Sequence, residues 1–181
     1  GELMKKLLLS LIFGVALSAS AQEWYQWNHG VGNGHFYTAL PSTDWDSAAT
    51  QAVDLGGYLT TINDSRELDF LRTTFGRVEQ FWIGLNDIDS QGNFSWFNGE
   101  AYDFQYEAHN FGDSPDAANG AVMNAPPMNP DYLTRGKWVD AGLEGPYRAI
   151  VESDVDPTGG VSVPEPTSFA IMGLMIGAVH L

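Results

Sequence analysis

The run Phe81-Trp82-Ile83-Gly84-Leu85-Asn86-Asp87 is short and aromatic to β-branched, the chemistry of a strand, and it ends on polar residues suited to a turn. A second strand-type segment, Phe94–Trp96, follows Asp87-Ile88-Asp89-Ser90-Gln91-Gly92, so Leu85 and Phe94 are expected to flank a β-hairpin turn. The intervening residues imitate the start of an EF-hand loop, with oxygens at alternate positions before a glycine. Position twelve, however, is Asn98 instead of Glu, and the flanks are strands, so the turn accounts for them better.

Two amphipathic helices precede this hairpin. Trp45, Ala48, Ala49 and Ala52 recur at helical spacing, which predicts a helix over Thr43–Leu55 with Ser42 or Thr43 as its cap and Gly56 past its end. Asp64 and Glu67 have the spacing of a capping box, Leu68, Leu71 and Phe75 form an apolar stripe, and Gly76 ends the second helix. His35–Leu40, Lys137–Asp140 and Tyr147–Val151 are further strand-type segments. From Glu107 to Thr134 neither period holds, and a long irregular stretch inside a compact domain is commonly a functional loop. The Gly-rich Asn28–Gly34 reads as a flexible lead-in.

The order and spacing of these segments resemble the C-type lectin-like domain. The resemblance rests on Trp45–Ile62, on Phe81–Asp87, on Phe94–Gly99, on Lys137–Asp140 and on Tyr147–Glu152, in register over about 130 residues. It implies an α+β fold of two helices on short antiparallel sheets with a long irregular loop that carries the binding site. It also implies that the N-terminal strand lies beside the C-terminal one, burying Trp24, Tyr25 and Trp27. The family's domains usually carry two disulfides, and this chain has no cysteine. The outer pair maps onto Ala52 and Val151, and the inner pair onto Ala121 and Gly142 or Leu143. Each missing crosslink forgoes about 2–4 kcal/mol, which aromatic packing around Trp45, Trp82, Trp96 and Trp138 must offset.

In the sugar-binding members a Glu-Pro-Asn or Gln-Pro-Asp triplet, a loop acid and a Trp-Asn-Asp strand hold one Ca²⁺, whose shell is completed by sugar hydroxyls. Carried over residue by residue, the triplet becomes Ser114-Pro115-Asp116, the loop acid Asn119, and the strand motif Trp138-Val139-Asp140. Ser114 and Val139 replace strong ligands. Asp116 and Asp140 remain as carboxylates, with Asn119 and Ser114 offering weaker oxygens. For an ion that takes six to eight oxygens this set implies weak calcium binding or none. Without the metal, sugar recognition falls to Asn110, Phe111, Asn119, Asn124 and Tyr132, with Phe111 alternatively a plug for the loop. The implied function is carbohydrate recognition, and the alternative is a calcium-independent protein-binding or structural matrix module.

Both ends of the chain read as addresses. Lys5 and Lys6, the apolar run Leu7–Leu17 and Ala19-Ser20-Ala21 form a secretory signal peptide cleaved after Ala21, the apolar run being too short for a transmembrane helix. Gly1–Leu3 precede Met4 and are read as lying ahead of the natural start. Val163-Pro164-Glu165-Pro166 followed by the apolar Phe169–Val179 resembles the PEP-CTERM sorting signal of Gram-negative bacteria, which directs secreted proteins to an exosortase. The apolar segment is shorter than a membrane span and lacks a basic tail, so the signal is truncated or degraded; the alternative is a proline-rich linker with an apolar tail. This divides the chain into a signal peptide (1–21), one domain (22–154) and a linker with sorting segment (155–181). The expected location is the cell surface or extracellular matrix, with transient membrane contact through the termini.

A formal net charge of −15 argues against nucleic acid or an anionic membrane surface as partner, since both are bound by clustered cations. His29, His35 and His109 have no metal-ligand spacing. There is no nucleophile motif or phosphate-binding loop, and the many acids do not by themselves mark a glycosidase pair, so a binding module is expected and an enzyme is not.

Overall fold

The computed structural model describes residues 22–108, 111, 119–126 and 136–159. Within them the chain runs β1 (Tyr25–Gln26), β2 (Phe36–Thr43), α1 (Trp45–Asp54), β3 (Tyr58–Leu59), α2 (Ser65–Phe75), β4 (Phe81–Asn86), β5 (Ser95–Trp96), β6 (Gly120–Met123), β7 (Val139–Ala141) and β8 (Tyr147–Ser153). The strands form one sheet in the order β1-β2-β8-β4-β6-β7, with β3 also on β8 and β5 also on β4. All pairings are antiparallel except β4 with β8, which is parallel. The N-terminal ribbon thus joins the C-terminal strand through β2, and Trp24 and Trp27 are buried while Tyr25 is half-buried.

Alternation along each strand divides the core into two layers. On β4, Phe81, Ile83 and Leu85 enter one layer and Trp82 the other; on β8, Ile150 opposes Ala149 and Val151. Leu68 and Leu71 of α2 pack into the first layer, and Trp45, Ala48, Ala49 and Ala52 of α1 into the second. Burial on both faces explains why every residue of β4 is buried and why its sequence is apolar from Phe81 to Leu85 before the buried Asn86.

Local chemistry sets the element ends. Asp44 caps α1, its carboxylate accepting from the Ser47 amide at 2.8 Å, so the cap is neither Ser42 nor Thr43, which belong to β2. Asp64 caps α2 by accepting from the amides of Arg66 and Glu67, while the Glu67 carboxylate reaches back to the Asn63 amide, one residue before the cap. The two glycines after α1 serve different ends. Gly56 takes a φ of +78°, and a side chain at Gly57 would strike the Glu152 carbonyl. Asn28–Gly34 is pinned instead of loose: the Trp27 amide donates to the His35 carbonyl, the Gly34 amide donates to the Trp27 carbonyl, and the Asn33 side chain donates to Tyr37 and Glu67.

One strand lies within the stretch from Glu107 to Thr134 where neither period holds. Gly120–Met123 pairs with both β4 and β7. Ala52 and Val151, the outer disulfide positions, share one core layer. At the inner pair, Gly120 packs against Leu143, and Ala121 on the opposite face enters the other layer. That places the close neighbour of Leu143 one residue earlier than expected.

Candidate functional site

The β4–β5 hairpin, the segment from Tyr102 to Ala108, Phe111 and the start of β6 meet on one side of the domain. Asp87 organises the hairpin turn. Its Oδ2 accepts from the Gly92 amide at 2.7 Å and from Gln91 Nε2 at 3.0 Å, and its own amide donates to the Asn119 carbonyl at 3.1 Å. The carboxylate is buried, and Oδ1 has no hydrogen-bond partner among the described residues. The turn reading of Asp87–Gly92 therefore stands, since β4 and β5 pair antiparallel across it.

Trp138 anchors the crossing segment. It is fully buried and bridges Glu107 in parallel, with its amide donating to the Tyr106 carbonyl and its own carbonyl accepting from Ala108. Phe104, Tyr106 and Trp96 surround its indole. Lys137 Nζ sits 4.0 Å from the Tyr106 ring centre, and Arg72 lies over the same ring. This packing holds Glu107 half-buried at the surface of the domain. Burial pushes its carboxyl above the usual glutamate range, opposed by its own backbone bond and by the Lys137 charge.

Of the positions expected to hold calcium, Asn119 and Asp140 fall among the described residues. Asn119 leads directly into β6, and Asp140 sits on β7 in register with Ala121. Both are half-buried, and because β6 pairs with β7 they lie on adjacent stretches of chain beside the hairpin. Ser114 and Asp116 lie outside the described residues, as do Asn110, Tyr132, the cleavage site at Ala21 and the Pro164-Glu165-Pro166 motif. Among the described residues no group of three or more His, Asp or Glu is placed to share a metal ion. Four side chains of which two are carboxylates make a poor set for an ion taking six to eight oxygens.

Asn124 is not available to a ligand. It is buried with φ +61°, its Nδ2 donates to the carbonyls of Gly76 and Glu79, and its Oδ1 accepts from Arg72. It ties the end of α2 to β6, a structural role that a surface reading of an Asn-rich stretch misses. Phe111 is half-buried, its ring 4.3 Å from that of Phe94, so it both packs on the domain and faces outward. Tyr102 and Glu107, which complete this face, went unnoticed in the sequence. An aromatic and an acid a few residues apart in a polar stretch carry no signal until the Glu107–Trp138 bridge sets them in place.

Residues 42–149 match the model of the lectin C-type domain. Lectin BRA-3 of Megabalanus rosa is 36% identical over 121 residues, which cover 65% of this chain and 67% of that protein. C-type mannose receptor 2 of Homo sapiens is 34% identical over 87 residues, 45% of this chain but 6% of the receptor. Two solved structures share the fold at low identity. One is the carbohydrate-recognition domain of cow CD23, solved in the presence of a GlcNAc2Man3 oligosaccharide (TM-score 0.55, 23% identity, 67% of this chain and 89% of that one). The other is a calcium-independent type II antifreeze protein (TM-score 0.57, 19% identity, 72% and 90%). With the family model covering the helices, the hairpin and the Trp138 strand together, the chain belongs to the C-type lectin domain family.

Proposed function

We propose that this protein is an exported carbohydrate-recognition module that binds its glycan without a resident calcium ion. The observation that carries the reading is the family match across residues 42–149 combined with a site in which Val139 and Ser114 stand where the family's metal ligands would be. Lectin BRA-3 and the CD23 domain lend the carbohydrate half of the reading, and the calcium-independent antifreeze protein shows that the fold also occurs without dependence on the ion. The leader ending at Ala21 and the Pro164-Glu165-Pro166 motif support export to the surface of a Gram-negative cell, with an exosortase-type machinery as the sorting partner. The role is binding and not catalysis.

Screening the protein on a glycan array in chelator tests this reading. Specific binding to a glycan set supports it. A blank array both with and without calcium rejects it in favour of a protein-binding or structural matrix role.

A further inference from the structure

A cleft of about 380 Å³ opens between the β4–β5 hairpin and the segment held by Trp138. Gly92, Asn93, Phe94, Tyr102, Glu107 and Phe111 line it. Its volume falls at the small end of ligand pockets, which run from about 300 to 1,000 Å³. Phe94 and Phe111 form one wall, their rings 4.3 Å apart and tilted by 44°. The opposite chemistry is polar. Glu107 is half-buried at the rim, while the Tyr102 hydroxyl is closed off from solvent, so its ring and not its oxygen faces the cleft.

We propose that this cleft is the sugar-binding site: one pyranose ring lays its apolar face on Phe94 and Phe111, and its hydroxyls bond to the Glu107 carboxylate. The proposal rests on the carbohydrate reading above and gives it an address that does not include Asp140. Aromatic rings match the C–H face of a sugar, and a carboxylate accepts from two neighbouring hydroxyls, so the site recognises the sugar with no metal between them. The charge also selects. Glu107 in a chain of net charge −15 excludes uronic and other acidic sugars, and the ligand class is a neutral or amino sugar. The floor is fixed before binding, because Tyr102 packs edge-on against Trp96 and Glu107 is bridged to Trp138, which limits the ordering cost of association.

The test is affinity of the full protein for array-selected neutral glycans in chelator, comparing wild type with Phe94→Leu, Glu107→Gln and Asp140→Asn, each checked by thermal melting. Glu107→Gln keeps the shape of the acid, so a folding defect does not obscure the readout. The site predicts that Phe94→Leu and Glu107→Gln each weaken binding by about tenfold or more, the second being the worth of a hydrogen bond to a charged group, with the fold retained. Binding that survives both variants and is lost in Asp140→Asn overturns the cleft while leaving the carbohydrate reading standing. Preference for uronic acids over neutral sugars also overturns it. No glycan bound by wild type, with or without calcium, overturns both.

Discussion

Glu67 on α2 and Glu152 on β8 share one phenol: the Tyr37 hydroxyl lies 2.6 Å from Glu67 Oε1 and 3.1 Å from Glu152 Oε1. Both carboxylates are only 1% exposed. Their other oxygens accept from Asn63, Thr60 and Thr61, Asn33 donates to Tyr37 and Glu67, and His35 meets Glu152 at 2.7 Å. One phenolic proton cannot serve two acceptors at once, so the pair holds a proton that isolated glutamates would release.

Stability should therefore fall with rising pH. Burial, then the Glu152 charge, pushes Glu67 up to about 7, and the bond to Glu152 raises His35, with Asp154 adding to the latter. A group whose pKa is raised on folding contributes stability that is complete below its unfolded value, here 4.5 and 6.5, and lost as pH rises through the folded one. The cap Asp44 acts in the opposite sense. The Ser47 amide lowers its pKa, so its contribution is present above 3.8 and lost as pH falls through the lowered value. A melting-temperature series should peak near pH 5 and decline toward pH 8, and a curve flat or rising over that interval contradicts the shared-proton account.

Tyr37→Phe removes the shared donor and leaves both carboxylates buried. The loss expected is about 1–3 kcal/mol, read from denaturant midpoints. It should be larger at pH 8, where Glu67 has lost its proton, than at pH 5. Equal losses at the two pH values would mean that the phenol contributes packing alone.

Ala52 and Val151 share a core layer in a domain without disulfides. The double variant Ala52→Cys, Val151→Cys should oxidise to a bridge and gain about 2–4 kcal/mol over its reduced form. Free thiols persisting under oxidising conditions would show that the α1–β8 geometry differs from that expected of the outer bridge.

Phe111→Ala should destabilise by less than the roughly 3–5 kcal/mol of a fully buried phenylalanine, because the ring is half-buried against Phe94. It should also weaken sugar binding. A full-sized stability loss with unchanged affinity would make the residue a plug for the loop and not a wall of the cleft.

Periodicity revealed both helices, because Trp45, Ala48 and Ala52 or Leu68 and Leu71 each recur on one face of a single segment. The buried β4 was equally plain, as both its faces are covered. What escaped was set by distant partners. Gly120–Met123 is a strand because β4 and β7 flank it, not because Gly-Ala-Val-Met favours one. The shift of the helix cap from Thr43 to Asp44 follows from β2 running on through Thr43. The candidate site was half legible: the Trp138 motif marked a strand beside the hairpin, but Glu107 is set next to it only through its bridge to Trp138. Asn124 misled because its carboxamide faces the backbone of Gly76 and Glu79 instead of solvent.

The account stands or falls on whether sugar recognition needs calcium. Titration calorimetry of the protein with an array-selected glycan, once in millimolar calcium and once in excess chelator, addresses this most directly. Dissociation constants equal within about twofold are predicted, together with no heat on titrating calcium into the sugar-free protein. Glycan binding that appears only with calcium would contradict the account and return the site to Asp116, Asn119 and Asp140.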